Sequence, residues 1–384
     1  MKLKARPEDF RVEERLKLRL KRAGAFSVYR LEKRFWNTLD VIDHLEQCHG
    51  LRRLSRAGLK DRYAQSVQYL SLPGRGPRQI IEKNYTLRLA GMADEPVSRD
   101  VLLGNSFRVT LRALTDDEAS AVLTALPRVN RFGFPNYYDE QRLGSARHGQ
   151  GFIARRLIAG HFNGALRLWL GTPSAADDPQ TRRRKAAIEE HWGDWPRILE
   201  LAPPEGRPAI RQLCTKPRDF KAAAYLIPRT LLELFINAYQ AWLWNEALAI
   251  LLADLKVPLR QLEYSHGTLT FYDELNPTDA KFLSRLVIPA PGPDAEFASE
   301  RAARAMGQVL AREGLSLDQL ELKMRIRGVF FKAYPRKAVV VPEHLKASAA
   351  EPDDLYPGRK KLVLSFFLPP GAYATMLIKR LSLL

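Results

Sequence analysis

The hydrophobic period of this chain changes twice, and that pattern limits its architecture more than any other feature. Up to about residue 150 the apolar positions recur in strand-like runs. AFSVYRLEK at 25–33 sets Phe26, Val28 and Arg30 against Ser27, Tyr29 and Leu31, and AQSVQYLSL at 64–72 reads as a second strand. In SFRVTLRA at 106–113, Phe107, Val109 and Leu111 share one face. From Phe152 the pattern becomes helical, through FIARRLIAGHFNGALRLWL and then TRRRKAAIEEHW. The longest helix expected covers 228–252, with Pro228 in its first turn and Leu232, Phe235, Ile236, Tyr239 and Leu243 in one stripe. Strand-like patterns return at 325–341 and 361–368. A β-rich start, a helical middle and a β-rich end imply an inserted domain whose flanking parts share one sheet. A chain of 384 residues is long enough for about two such cores.

Local signals mark some boundaries. Asn37 and Thr38 offer caps for a helix through Val41, Ile42 and Leu45 that Gly50 would stop. Thr115 and Glu118 form a capping box, followed by Val122, Leu123 and Leu126 at helical spacing before Pro127.

Lys and Arg number 61 against 43 Asp and Glu, a net charge of +18 that draws polyanions, nucleic acid before membrane. No run approaches the roughly 20 apolar residues of a membrane helix, and the opening MKLKARPEDF has no signal-peptide character. Cys48 and Cys214 make neither a disulfide framework nor a metal cluster, so a reducing cytoplasm is the expected compartment. The histidines at 44, 49, 148, 161, 191, 266 and 344 show no i, i+3 or i+4 pairing; His44 and His49 lie five apart on one helix and are not expected to line up. No metal site is expected. PGRGPR at 73–78 lacks the Lys-Ser/Thr of a phosphate loop, and no nucleotide motif or nucleophile elbow is present, so no cofactor is expected either.

Four stretches remain. In AGLKDRYAQS at 57–66, Gly58 permits a turn ahead of Lys60 and Asp61 at the end of a strand, with Gln68 further along the next one. NYYDEQRLG at 136–144 gathers an amide, two phenols, two carboxylates and an arginine, groups able to read a base, stack under it and bind phosphate. FFLPPGAYAT at 366–375 reads as strand, tight turn and helix start, and KARPEDFRVEE at 4–14 is an acidic-basic segment with a single Phe10. Taken one at a time, each reads as ordinary structure: a solvated turn, an Asn-capped loop, a surface tyrosine.

In this order and spacing, the four stretches resemble the motifs of the TruD family of pseudouridine synthases: RPEDFRVEE at 6–14, GLKDRYAQSVQ at 58–68, NYYDEQRLG at 136–144 and FFLPPGAYAT at 366–375. NAYQAWLWN at 237–245 is also similar to a family segment. The resemblance implies an α+β fold. A discontinuous catalytic domain, 1–151 with 321–384, would hold a mixed, mainly antiparallel sheet, and a mostly helical family-specific domain, 152–320, would be inserted to grip RNA. It further implies isomerisation of uridine to pseudouridine in folded RNA, with tRNA and its position 13 the expected target, by a monomer needing no protein partner. Asp61 would be the nucleophile and Lys4 its cationic partner; Phe10, Asn136, Tyr138 and Tyr373 would contact the target nucleotide. Tyr138 stands where the family usually has phenylalanine, Asp139 where it has glycine and Leu143 where it has phenylalanine; the last two changes would alter the pocket or the substrate.

Elementary chemistry agrees. Remaking a base–sugar bond needs a group that attacks or steadies a developing cation at C1′, and a carboxylate does both. An adjacent cation would keep that carboxylate ionised in a partly dry pocket. Side chains of neighbouring residues point apart, which favours Lys4 over Lys60 as the partner. A stacked uridine must be flipped out at a cost of about a few kcal/mol, which aromatic side chains would offset. The alternatives are a non-catalytic RNA-binding protein on the same scaffold and a carboxylate glycosidase, and no second carboxylate at convincing spacing supports the latter. The RRRK run at 182–185 is a candidate phosphate contact or a solvated cluster.

Overall fold

The computed structural model describes residues 1–144, 150–174 and 177–383, so His148 lies outside the described residues. The chain divides into two compact units, Met1–Phe134 with Val340–Leu384, and Pro135–Val339. The first unit is built on a ten-stranded sheet. Its main strands are β1 (Phe10–Leu16), β2 (Phe26–Lys33), β3 (Gln65–Pro73), β4 (Gln79–Ile81), β5 (Tyr85–Ala93), β6 (Leu102–Leu114), β7 (Glu343–Ala347) and β8 (Lys360–Leu368). They lie in the order β7-β8-β6-β1-β3-β2-β5-β4. Every named pair is antiparallel except the central one, β1 with β3, where Arg11 faces Gln65 and Glu13 faces Val67 in parallel. That one parallel pairing matters for the site. It brings the segments that enter β1 and β3, residues 4–9 and 57–64, to the same end of the sheet.

Helix α1 (Thr38–His49) covers part of one face. Its Val41 and Leu45 meet Tyr29 and Leu31 of β2, Leu70 and Leu72 of β3, and Leu87 of β5 in one buried cluster. Asn37 caps the helix by accepting the Asp40 N–H, and Gly50 ends it in the left-handed region at φ 67, where a side chain would be strained. Helix α2 (Asp116–Phe132) starts at the capping box of Thr115 and Glu118 and lies against β6, β7 and β8. It runs through Pro127 rather than stopping there. The proline is exposed, so the ring meets solvent, and the lost backbone bond is a local cost in a helix held by one buried face of Ala119, Val122, Ala125 and Val129. Helix α2 also packs against the last helix of the chain, Ala374–Leu381.

In the second unit the long helix α3 (Arg229–Ala253) is the spine. Leu232, Phe235, Ile236, Tyr239 and Leu243 are buried as the stripe requires, and Pro228 serves as N-cap, one position earlier than expected. Shorter helices surround it, with a hairpin of Leu259–Tyr264 and Gly267–Tyr272. The strand expected over 325–341 is largely replaced by irregular chain: only Pro335–Lys337 and Val339–Val340 are extended in ladders. Alternation of exposed cations with buried Met324 imitates a strand there. Its backbone groups are instead satisfied by helix side chains: Tyr225 Oη accepts the Arg325 N–H at 3.1 Å, and Gln240 Nε2 donates to the Lys332 carbonyl at 3.0 Å. No helix among the described residues is long and apolar enough to cross a membrane.

Candidate active site

Lys4, Phe10 and Asp61 meet at the end of the sheet shared by the segments entering β1 and β3. Lys4 Nζ donates to Asp61 Oδ2 at 2.9 Å and stands 4.5 Å from the Phe10 ring centroid. The lysine backbone is left-handed, φ 55, which costs a non-glycine residue about 1 kcal/mol and is held by the surrounding turn. Pro7–Asp9 form one 3₁₀ turn between Lys4 and β1, pinned where Asp9 Oδ2 accepts the Arg6 N–H and Asp9 Oδ1 accepts Arg112 Nε. Phe10 is buried, edge-on to Phe107, which stacks on Phe366. Asp61 remains open: its side chain is 40% exposed, enough for a substrate to reach it.

The loop that carries Asp61 is held from three sides. Lys60 turns away from its neighbour, its Nζ donating to Glu14 Oε1 at 2.7 Å in a pair whose side chains are 9% and 0% exposed. Glu14 Oε2 also accepts the Tyr69 N–H. Gly58 is not left-handed, and a Cβ there would meet Glu14 Oε1 and Lys60 Nζ at ordinary contact distances of 3.7 and 3.8 Å, so neither backbone conformation nor space demands glycine at this position. The Lys60 N–H donates to Thr38 Oγ1 at 2.8 Å, and the Thr38 hydroxyl donates to Gln68 Oε1 at 2.8 Å. Lys33, at the end of β2, donates from Nζ to the carbonyls of Trp36, Lys60 and Asp61 at 2.8, 3.1 and 3.0 Å. Burial pushes the Lys33 ammonium down to about 8, with the charge of Asp61 opposing that shift. None of Lys33, Thr38 and Glu14 was singled out from the sequence as part of the site. Lys33 could have been found, because it falls on the same face of a period-two strand as the buried Tyr29 and Leu31.

Tyr373 follows β8. Pro369, Pro370, Gly371 and Ala372 make a turn closed by the Ala372 N–H on the Pro369 carbonyl, with Gly371 at φ 84, a value that favours glycine at the third position. Leu368 at the end of β8 is level with Asn105, and Asn105 with Glu14, so the turn leaves the sheet two strands, or about 10 Å, from the residue that holds Lys60. Tyr373 is half-buried and is the N-cap residue of the final helix.

Asn136 and Tyr138 belong to the second unit, and their side chains are engaged there. Asn136 Nδ2 donates to the Lys337 carbonyl and its Oδ1 accepts from Arg336 Nη2, at 3.0 and 2.9 Å. The Tyr138 ring lies 3.8 Å from the Arg336 guanidinium carbon and edge-on to Trp244 at 5.5 Å. Its hydroxyl meets that of Tyr334, and its backbone N–H and C=O both bond the Asn245 amide. Trp244 and Asn245 come from the NAYQAWLWN segment, so this part of α3 and the 136–144 segment form one packed structure. Tyr137, the other phenol of that segment, is a core residue with its hydroxyl on Thr270. Asp139 sits at φ −76 and needs no glycine, and Leu143 is fully buried.

Two further expectations change. His44 and His49 do come together despite their spacing: His49 ends the helix, the rings are 6.0 Å apart, and with Glu82 they could hold a metal ion, their ligand atoms all within 4.8 Å of one another. Here His49 Nε2 pairs with Glu82 Oε1 at 2.9 Å and His44 Nδ1 with the Tyr85 hydroxyl at 2.8 Å. In the 182–185 run, Lys185 is turned inward onto Asp177 at 2.7 Å, leaving exposed Arg182 and Arg183 as its outward cations.

A mixed-sheet α+β scaffold with a lysine-paired aspartate between its two parallel strands defines a class of carboxylate-bearing, cationic protein suited to polyanions. The comparisons narrow the class. The family model for tRNA pseudouridine synthase D (TruD) matches residues 1–381. The chain is 32% identical to tRNA pseudouridine synthase D 2 of Methanocaldococcus jannaschii, over 99% of this chain and 91% of that one. It is 30% identical to tRNA pseudouridine synthase D of Aquifex aeolicus, over 99% and 98%. The solved structure of the Methanosarcina mazei protein described as TruD shares the fold, with a TM-score of 0.75 at 24% identity over 99% of this chain and 93% of that one. The chain belongs to the TruD family, the pseudouridine synthases that isomerise uridine in tRNA.

Proposed function

We propose that Asp61 is the nucleophile of this synthase, acting on a uridine flipped out of folded tRNA, with position 13 the target the family resemblance implies. The observation that carries this reading is the half-exposed Asp61 carboxyl held by Lys4 at 2.9 Å beside Phe10. The carboxylate attacks C1′ as the C1′–N1 bond breaks, and uracil leaves as its anion. The uracil turns, C5 bonds to C1′ and the carboxylate departs. C5 then gives up its proton and N1 gains one, so the reaction is an isomerisation with no atom gained or lost. Lys4 holds the carboxylate in place through its 2.9 Å hydrogen bond. Flipping costs about a few kcal/mol, and Phe10, Tyr138 and Tyr373 offset it by contact with the extruded nucleotide. Asn136 contributes from a position fixed by Arg336. The unit Met1–Phe134 with Val340–Leu384 is the catalytic domain in this reading, and the inserted unit Pro135–Val339 grips the RNA.

Asp61→Asn tests the assignment. Turnover on tRNA in the presence of chelator is expected to fall about 10⁴-fold or more, while the dissociation constant for tRNA stays within about twofold. Full turnover in this variant removes Asp61 from the mechanism. A wild-type protein that binds tRNA and forms no pseudouridine in any RNA is a binder on the same scaffold.

A further inference from the structure

We infer that Lys33 is the positioning residue of the catalytic loop: its buried ammonium fixes the backbone at Lys60 and Asp61 and so sets where the Asp61 carboxyl stands. The inference rests on the reading of Asp61 as nucleophile. Lys33 is 1% exposed, yet it faces no carboxylate at bonding distance among its hydrogen bonds. All three of its donors are instead spent on carbonyls of two segments, Trp36 before α1 and Lys60–Asp61 before β3. A buried cation in such a place is costly unless fully bonded, and three carbonyls converging on one point can be bonded together only by a group with three donors. Arginine's planar fork does not match that convergence, and a neutral amide has two donors.

The charged groups around it are few. Asp61 and Lys60 face it from the loop and Asp40 from the first turn of α1. Ser66 of β3 and Tyr85 of β5 flank it across the sheet, the Tyr85 hydroxyl being bound to His44. On β1, Glu14 is occupied by Lys60. The pH behaviour separates positioning from stability. The folded value, about 8, lies below the ordinary 10.5, so the unfolded chain holds the proton more tightly, and this group adds stability as pH rises through that window. Over the same window a neutral amine presents a lone pair to one of the three carbonyls, and the loop loses an anchor. Turnover therefore falls where the fold is not weakened by this residue.

The experiment is single-turnover pseudouridine formation on tRNA by full-length protein, with affinity measured separately. Lys33→Met is expected to lower the rate about 10²-fold with tRNA affinity within about twofold, the size of loss a misplaced catalytic group produces. Wild type is expected to lose rate with a midpoint near pH 8 while its thermal midpoint does not fall, and Lys33→Arg, which keeps its charge, is expected to lose that limb and to run at a lower rate throughout. Should Lys33→Met fail to fold, the wild-type and Lys33→Arg profiles decide. A folded Lys33→Met with wild-type rate, or a Lys33→Arg profile with the same limb near pH 8, overturns the inference. An inactive Asp61→Asn beside a fully active Lys33→Met would sink this inference alone; an active Asp61→Asn would sink the nucleophile with it.

Discussion

Lys60 and Asp61 are neighbours in sequence with separate fates. Asp61 is half-exposed toward Lys4, while Lys60 is drawn into the unit by Glu14. Removing one partner of so buried a pair strands the other charge, so Glu14→Ala should destabilise the fold by about 3–5 kcal/mol in urea unfolding. The double change Glu14→Leu with Lys60→Met should recover most of that loss, because it removes both charges together. A Glu14→Ala protein as stable as wild type would mean that Lys60 reaches solvent. Neither the Lys4–Asp61 nor the Lys60–Glu14 pair could be read from spacing, since 57 and 46 residues separate the partners and periodicity says nothing at that range. Lys4 entered by resemblance to a family. Thr38 is a case where local rules gave two candidates for one cap: Asn37 caps the helix, and the Thr38 hydroxyl is thereby released to bond the loop.

Elements with a clean period were legible. The strands at 26–33 and 65–73, the capped ends of α1 and the long α3 all follow from local rules, because neighbours in sequence decide them. Elements decided by distant partners were not. Residues 325–334 carry strand-like alternation but bond to helix side chains, and β6 extends four residues before the run that announced it. Pro127 is the sharpest local conflict, a proline in the interior of α2 on its exposed side. Pro127→Ala restores a backbone donor and should raise stability by about 1 kcal/mol or more, seen as a higher urea midpoint at unchanged slope. An unchanged or lowered midpoint would mean that the proline costs this helix nothing at its exposed position.

The excess of 18 positive charges was legible from composition alone, and the chain divides into two compact units. Their borders, 134/135 and 339/340, could not be placed from the sequence, because at each end the chain passes through short extended pieces of ambiguous period. If the surplus charge meets RNA phosphates, the logarithm of the tRNA association constant should fall linearly with the logarithm of salt, with a slope on the order of −5. A flat response would mean that the cations are neutralised within the protein, as Lys185 is by Asp177. The pairing of β8 with β6 has its own consequence. Leu364 lies opposite Val109, and all of Pro135–Val339 is made between them. On the ribosome, then, β6 emerges long before its neighbour and must wait as a bare edge, the kind of surface on which nascent chains stick to one another. Early compaction of the intervening unit would bring the two ends within reach and shorten that exposure, tying the yield of active enzyme to how quickly its middle folds.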